Sequence, residues 1–152
     1  YPVIASGWER FARGPSGQTR GFTWATLSVD GKELLVVTAH LTPYDRGAEV
    51  TERSDQAAHL LRFIGTRTRV MLAGDLNDDP GSPALMRLTS GALHDAAASL
   101  GQTGFFTFPA EAPRRRLDYI MLGADLRAVA YEVPQTLASD HFPVFARVTV
   151  ER

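Results

Sequence analysis

Residues 70–83 read VMLAGDLNDDPGSP, and this stretch determines how the rest of the chain is arranged. Its apolar start is bounded by a glycine, which is typical of a central strand covered on both faces. Asp75 and Asn77 follow at once, at the strand end where open α/β sheets place their chemistry. Ser82 and Pro83 are typical of a helix N-cap and a first helical position. The stretch predicts a buried strand, an acidic turn and a capped helix, with a solvated Asp/Asn turn as the alternative.

The composition is that of one globular domain. The chain has 152 residues, of which 44% are hydrophobic and 22% are charged. Sixteen basic residues balance seventeen acidic ones, which excludes the broad positive surface of a dedicated nucleic-acid-binding module. The sequence has no cysteine and no apolar run of membrane-spanning length, so disulfides and thiolate chemistry are excluded and no membrane span is expected. A start at Tyr1, without Met or a secretory pattern, indicates the interior of a longer protein.

Two β-rich runs precede the acidic turn. Residues 22–29 and 33–41 are joined through Asp30 and Gly31, a pair that is the strongest short signal for a hairpin. The second run contains LLVVTAHL and is apolar on both of its faces. We therefore expect two antiparallel strands, the second of them central in its sheet and with His40 at its far end.

An amphipathic helix is predicted over residues 51–64, because apolar residues recur there at helical spacing. These are Ala57, Leu60, Leu61 and Ile64. Glu52 and His59 fall on the opposite, polar side of this helix, and we expect His59 to be solvated. Two shorter helical pieces are expected at residues 83–89 and 93–100.

The C-terminal third alternates between loops and strands. Residues 101–113 carry three phenylalanines, which are typical of core side chains, with a base-stacking platform as the alternative. A strand is predicted over residues 117–122, and Asp118 interrupts its apolar pattern. A carboxylate inside a strand needs a partner. Residues 129–133 and the alternating run 144–150 predict two further strands.

Six polar side chains are predicted to meet at one rim of the sheet: His40, Asp75, Asn77, Asp118, Asp140 and His141. Five of them fall at strand ends, and neighbouring strands bring such positions together. Carboxylates, a carboxamide and imidazoles suit a hard divalent cation such as Mg²⁺ or Mn²⁺ better than a closed zinc site. Such a cation polarises a phosphoryl oxygen. A carboxylate that orients water and an imidazolium that faces developing charge would complete a hydrolytic site.

The chain resembles the endonuclease/exonuclease/phosphatase superfamily of DNase I-like folds. The resemblance rests on four motifs in the family's order and spacing: TAHL at 38–41, GDLN at 74–77, RLDYI at 116–120 and SDHFPV at 139–144. It implies an α/β (α+β) fold, a sandwich of mixed β-sheets flanked by helices. The whole chain, residues 1–152, resembles the C-terminal half to two thirds of that domain, so we expect one partial domain.

The resemblance implies metal-assisted attack of water. Asp75 would orient or deprotonate the attacking water, and Asn77 would hold water or phosphate. Asp140 would be a metal ligand together with Asp75, for Mg²⁺ or Mn²⁺. The activity implied is metal-dependent hydrolysis of a phosphodiester or phosphomonoester, with nucleic acids, phospholipids and inositol phosphates all open as substrates. A non-catalytic binding or partner module with the same fold is the alternative.

The histidines would act on the phosphate. The resemblance implies that His141 contacts the phosphoryl oxygen, with Asp118 keeping it protonated, and that His40 lies against the phosphate or the leaving group. We predict that Asp118 and His141 are side-chain partners, because the carboxylate raises the histidine pKa and the imidazolium satisfies the carboxylate.

Three consecutive arginines follow the phenylalanine loop. Arginine is suited to bidentate contacts with phosphate. We predict that at least one of Arg114, Arg115 and Arg116 meets substrate phosphate and that the segment 105–116 sets substrate choice, since loops on a rigid scaffold usually carry specificity. A solvated run of charge is the alternative.

One feature of the family is missing from these residues. Members carry an Asn and a metal-binding Glu on upstream strands, and nothing in residues 1–20 matches them. We therefore expect weak metal binding and little activity from the isolated chain, because ligand number sets affinity for hard cations. An exposed sheet face would further favour a homo-oligomer or pairing with the missing N-terminal part.

Overall fold

The computed structural model describes residues 1–43 and 47–151. Within this part of the chain the strands are β1 (Val3–Arg10), β2 (Gly21–Val29), β3 (Lys32–His40), β4 (Val70–Asp75), β5 (Leu93–Asp95), β6 (Asp118–Gly123), β7 (Leu126–Glu132) and β8 (Phe145–Val150). The helices are α1 (Ala48–Ile64), α2 (Pro83–Thr89) and a 3₁₀ turn at Ala98–Leu100. Six strands form a mixed sheet in the order β1-β2-β3-β4-β6-β5, and β7 pairs with β8 in a second sheet. This is the predicted α/β (α+β) architecture of mixed sheets flanked by helices.

The predicted hairpin joins β2 to β3. Val29 faces Lys32, and the two residues between them, Asp30 and Gly31, have φ angles of 52° and 74°. Positive φ at both positions defines a two-residue turn whose twist matches the flanking strands. The turn sets the register that places His40, the last residue of β3, at the opposite end of the sheet.

Three strand ends bring His40, Asp75 and Asp118 into one row. The parallel strands β3 and β4 pair Thr38 with Ala73, and the same register two residues further on sets His40 beside Asp75. Asp75 in turn faces Asp118 across the antiparallel pair of β4 and β6. Asp118 begins β6 rather than interrupting it, which corrects the sequence expectation and places its carboxylate at the sheet rim.

Gly74 lets β3 and β4 approach closely beside this row. Its φ is 142°, and a Cβ at this position would overlap the carbonyl oxygen of Ala39. Only glycine fits such a position without moving the backbone.

The two faces of the six-stranded sheet carry separate hydrophobic clusters. The first lies against α1 and α2 and includes Leu60, Leu72 and Leu88. The second lies between the sheet and the β7–β8 pair and includes Leu122 and Tyr131. The central strands β3, β4 and β6 therefore pack residues against both clusters, as their apolar pattern predicts.

Within the described residues, the second face is only partly covered. Trp8 pairs with Thr23, which pairs with Thr38, which pairs with Ala73, so all four side chains lie on one face. Ala73 packs against the second cluster, whereas Trp8 is 65% exposed. The β1 side of this face thus presents a large apolar side chain to solvent.

The polar side of α1 differs from the sequence expectation. The helix begins at Ala48 rather than at residue 51, and Glu52 is buried. Its carboxylate accepts hydrogen bonds from the Ser16 backbone N–H at 3.0 Å and from the Thr42 hydroxyl at 2.7 Å. The loop after β1 packs on this side of the helix, a contact that helical periodicity does not encode.

The prediction of a solvated His59 is also wrong. Its Nε2 lies 3.1 Å from a carboxylate oxygen of Glu9, and its ring packs edge-on against Phe11 and Phe22. Similarly, the predicted helix at 93–100 is only partly present, because its first residues pair with β6 as strand β5. None of the helices in the described residues is long and apolar enough to cross a membrane.

Candidate active site

Asp75 lies at the centre of the candidate site, between two imidazoles. Its Oδ2 is 3.3 Å from Nε2 of His40 and 3.9 Å from Nε2 of His141. The Asp75 side chain is 18% exposed, so the carboxylate is reachable from solvent. Burial raises the pKa of Asp75, and the neighbouring charge of Asp118 adds to this effect. A carboxylate with a raised pKa is a better proton acceptor, which suits a general base.

The predicted contact between Asp118 and His141 is confirmed. Nδ1 of His141 lies 2.8 Å from Oδ2 of Asp118, so the ring donates a short hydrogen bond to the carboxylate. Burial lowers the pKa of His141, but this hydrogen bond and the charges of Asp118 and Asp75 outweigh it and leave the pKa raised. The ring therefore favours the imidazolium form, with Nε2 directed towards Asp75.

His40 occupies the other side of Asp75 in a more open position. Its side chain is 55% exposed, whereas that of His141 is 23% exposed. Partial burial and the charge of Arg20 lower the pKa of His40, although Asp75 acts in the opposite direction. The two imidazoles of the site are therefore shifted in opposite directions.

Asn77 stabilises the turn after β4 through two hydrogen bonds. Its φ of 52° lies in the left-handed region, where asparagine is better tolerated than most residues. The Asn77 backbone N–H donates to Oδ1 of Asp75 at 2.9 Å, and its side-chain amide donates to the carbonyl oxygen of Leu41 at 2.9 Å. Asn77 thus orients Asp75 and ties the turn to the end of β3. Its contact with water or phosphate stays a prediction.

Asp140 lies on the surface next to His141. Its Oδ1 accepts a 3.2 Å hydrogen bond from the Ser139 hydroxyl. Its charge also adds to the raised pKa of His141. In the described residues, the one group of three acidic or imidazole side chains whose ligand atoms all lie within 4.8 Å of one another is Asp75, Asp118 and His141. Metal binding by Asp140 therefore stays a prediction.

The three arginines have different surroundings. Arg116 is 2% exposed and donates to Asp95 at 2.7 Å. A buried, paired arginine stabilises the fold and does not reach a substrate phosphate, so the prediction now concerns Arg114 and Arg115. Arg115 donates to Asp79 at 2.8 Å, which links the loop to the turn after β4. Arg114 is exposed. Contact of Arg114 or Arg115 with substrate stays a prediction.

Phe108 was missed as a site residue. Its ring centroid lies 4.6 Å from that of His141, so it covers one side of the imidazole. The three phenylalanines of this loop differ, since Phe105 packs against Tyr131 while Phe106 is 49% exposed. The FTFP motif at 106–109, shortly before the RLDYI motif, indicated an aromatic residue near the site. Its spacing alone does not predict which of the two rings contacts His141.

The chain belongs to the Endonuclease/Exonuclease/phosphatase family, whose family model matches residues 6–141. Members of this family hydrolyse phosphate esters and generally use divalent metals. No curated protein matches the chain at a significant level.

Solved structures show the same DNase I-like fold. An endonuclease/exonuclease/phosphatase from Bacteroides vulgatus superposes with a TM-score of 0.82 at 20% identity, covering 99% of this chain and 66% of that one. A humanized TDP2 from D. rerio gives 0.79 at 20% identity, covering 97% and 67%. A mannosyl-6-phosphatase from Bacteroides thetaiotaomicron gives 0.75 at 18% identity, with the same two coverages. The chain thus spans about two thirds of these structures.

Proposed function

We propose that this chain carries the catalytic carboxylates and histidines of a divalent-metal-dependent phosphoesterase, which hydrolyses its substrate by attack of water. The observation that carries the proposal is the row of His40, Asp75 and Asp118 at the sheet rim, with His141 2.8 Å from Asp118. This arrangement places a carboxylate base, Asp75, and a positively charged imidazolium, His141, in one partly exposed site. These are the groups that general-base attack on a phosphate ester requires.

In this proposal the side chains act on the attacking water, the phosphoryl oxygen and the departing group. Asp75 accepts a proton from the attacking water, and Asn77 holds its carboxylate in place through a 2.9 Å hydrogen bond. The imidazolium of His141 faces a phosphoryl oxygen, where charge develops in the transition state. His40, with its lowered pKa, lies on the side of the departing group.

The donor set suits a hard cation. Mg²⁺ is usually held by one or two carboxylates together with waters and substrate phosphate. We assign these carboxylates to Asp75 and Asp140. His141 is a poor ligand for this cation despite its position, because Mg²⁺ prefers oxygen ligands and the raised pKa of the ring favours its protonated form. When bound, Mg²⁺ or Mn²⁺ would polarise the phosphoryl oxygen.

The substrate class that we propose is a phosphate ester. The similar structures include a TDP2 complexed with single-strand DNA product and a mannosyl-6-phosphatase, so they span nucleic acid and sugar phosphate. A cavity of about 310 Å³ lies beside Asp118 and His141 and is lined in part by Thr136 and Ser139. Arg114 on the neighbouring loop is the arginine that we propose meets the substrate.

We also propose that the exposed part of the second sheet face is a partner surface. Trp8 is 65% exposed on the face whose other end is covered by β7 and β8. Because the chain spans about two thirds of the similar structures, the occupant we propose is the remaining third of the family domain. Without that part, a second copy of the chain would cover the surface, and light scattering distinguishes monomer from dimer.

The test is a metal-dependent hydrolysis panel on this chain and on a longer protein that contains it. Substrates are a bis-aryl phosphodiester, plasmid DNA, abasic DNA and sphingomyelin, each with Mg²⁺, Mn²⁺ or a chelator. We expect hydrolysis by the longer protein that needs metal and is lost in Asp75→Asn. No turnover of any substrate, or equal turnover by the variant, would contradict the proposal and favour the non-catalytic module.

A further inference from the structure

Thr107 lies where three segments of the candidate site meet. It is fully buried in the loop between the 3₁₀ turn and β6. A fully buried hydroxyl needs hydrogen-bond partners, because an unsatisfied polar group in the interior is costly. The partners of Thr107 belong to the segments that carry Asp118 and His141.

The Thr107 hydroxyl holds the start of β6. Its Oγ1 accepts hydrogen bonds from the backbone N–H groups of Leu117, at 3.0 Å, and of Asp118, at 3.3 Å. Leu117 is in turn bonded to the turn after β4, since its carbonyl oxygen accepts from Leu76 N–H at 2.8 Å. One side-chain oxygen therefore fixes the backbone from which the Asp118 carboxylate projects.

The Thr107 backbone holds the segment that carries His141. Its carbonyl oxygen accepts from the N–H of Phe142 at 2.7 Å, and its own N–H donates to the carbonyl oxygen of Arg115 at 2.8 Å. The residue beside His141 and the first residue of β6 are thus bonded to the same threonine. Thr107 therefore connects the two backbone segments that carry Asp118 and His141.

We propose that Thr107 is a positioning residue that sets the contact between Asp118 and His141 through its hydroxyl, an inference that rests on the proposed function of that pair. The contact is 2.8 Å long, and a shift of about 1 Å in a reacting or supporting group can lower a rate about 100-fold. Thr107→Val has nearly the same shape but removes the acceptor, so the N–H groups of Leu117 and Asp118 lose this partner.

The first test is an NMR measurement on this chain at one fixed pH. The Nδ1–H proton of His141, assigned by its loss in His141→Gln, is shifted to low field and exchanges slowly while it is bonded to Asp118. We expect this signal to be lost in Thr107→Val and retained in Thr107→Ser, which keeps the hydroxyl. If Thr107→Val does not fold, Thr107→Ala replaces it, because Ala and Ser differ here only by the hydroxyl oxygen.

Two variants control for general destabilisation. Ile64→Val removes one buried methylene from the far end of α1, and Thr68→Val removes a hydroxyl that bonds Asp125 at the opposite end of β4. Both should keep the His141 signal even when their melting temperature is lowered. A signal that survives in Thr107→Val, or that is lost in Ile64→Val, would overturn the proposal.

The second test is kinetic and uses the active protein from the hydrolysis panel. We expect Thr107→Val to lower kcat by about tenfold or more with KM nearly unchanged, and Thr107→Ser to restore most of kcat. Equal kcat in all three proteins would overturn the role of Thr107. If the wild-type protein turns over no substrate, the proposed function fails, while the NMR comparison still decides whether Thr107 sets the contact.

Discussion

The two sides of Asp75 hold the same kind of side chain in different surroundings. On one side, His141 is bonded to Asp118, lies against the Phe108 ring and is 23% exposed. On the other side, His40 ends β3, is 55% exposed and lies 3.3 Å from Asp75. The pKa of His141 is raised, whereas that of His40 is lowered.

The difference shows that Asp75 alone does not decide the protonation of its neighbours. Both imidazoles are near it, but burial and the charge of Arg20 lower the pKa of His40, whereas in His141 the direct hydrogen bond to Asp118 outweighs burial and raises the pKa. A nearby opposite charge favours the protonated ring and a nearby like charge disfavours it. The site thus holds one histidine suited to stabilise negative charge and one suited to work as a neutral ring.

The largest effect is expected from Asp75→Asn, because this carboxylate is shared by both sides. We expect kcat of the active protein to fall by about 1,000-fold, within the range of general-base catalysis. Asp125→Asn, at the opposite end of the sheet, is the matched control and should leave kcat unchanged. A loss of less than tenfold in Asp75→Asn would contradict its role as the base.

Replacing either His141 or His40 should lower kcat less than Asp75→Asn does, and the two variants should differ from each other. We expect His141→Gln to lower kcat by about 100-fold, as for removal of a group that stabilises developing charge, and His40→Gln by about tenfold. The measurement is steady-state kinetics of both variants on the same substrate. Equal decreases in kcat would contradict this difference and would mean that His141 and His40 contribute equally to catalysis.

Arg114→Ala tests whether the loop on the His141 side of the site contacts the substrate. We expect KM to rise a few-fold, by about the free energy of one exposed charge contact, while the melting temperature stays unchanged. Arg127→Ala, on β7 and paired with Glu151, is a matched loss of exposed charge away from the site. If both variants raise KM equally, the effect is one of net charge and Arg114 has no specific contact.

The smallest effect concerns stability against pH. The raised pKa of His141 means that its pair with Asp118 stabilises the fold fully below pH 6.5, the ordinary histidine value, and loses this contribution as pH rises through the folded-state pKa. Melting temperatures of wild type and Asp118→Asn should therefore differ by a few degrees near pH 6, since 1 kcal/mol shifts a chain of this length by about 2–4 °C. The difference should shrink towards pH 9. A gap that widens with pH would mean that the imidazolium is not what Asp118 stabilises.

Much of the site was predictable because it follows strand ends. The Asp30-Gly31 turn sets the register of β2 and β3 by a local rule. The apolar runs of β3 and β4 predict two central strands, and their parallel pairing places His40 beside Asp75. The pairing of Asp118 with His141 was predictable from charge, since each group needs the other. The local sequence did not predict the burial or contacts of a side chain whose partner comes from a distant segment. His59, which contacts Glu9 of β1, is an example.

The sequence by itself determined the strands β2–β4 and β6–β8, the acidic turn, the four family motifs and the residue types of the site. Only the tertiary structure decided which of the polar residues are buried and which partners they have. Arg116 is covered and bonded to Asp95, while Arg114 in the same run is exposed. The physical reason is that burial and hydrogen-bond partners come from segments far apart in the chain, as with Thr107, Asp118 and Phe142. Periodicity and spacing describe only neighbours along the chain.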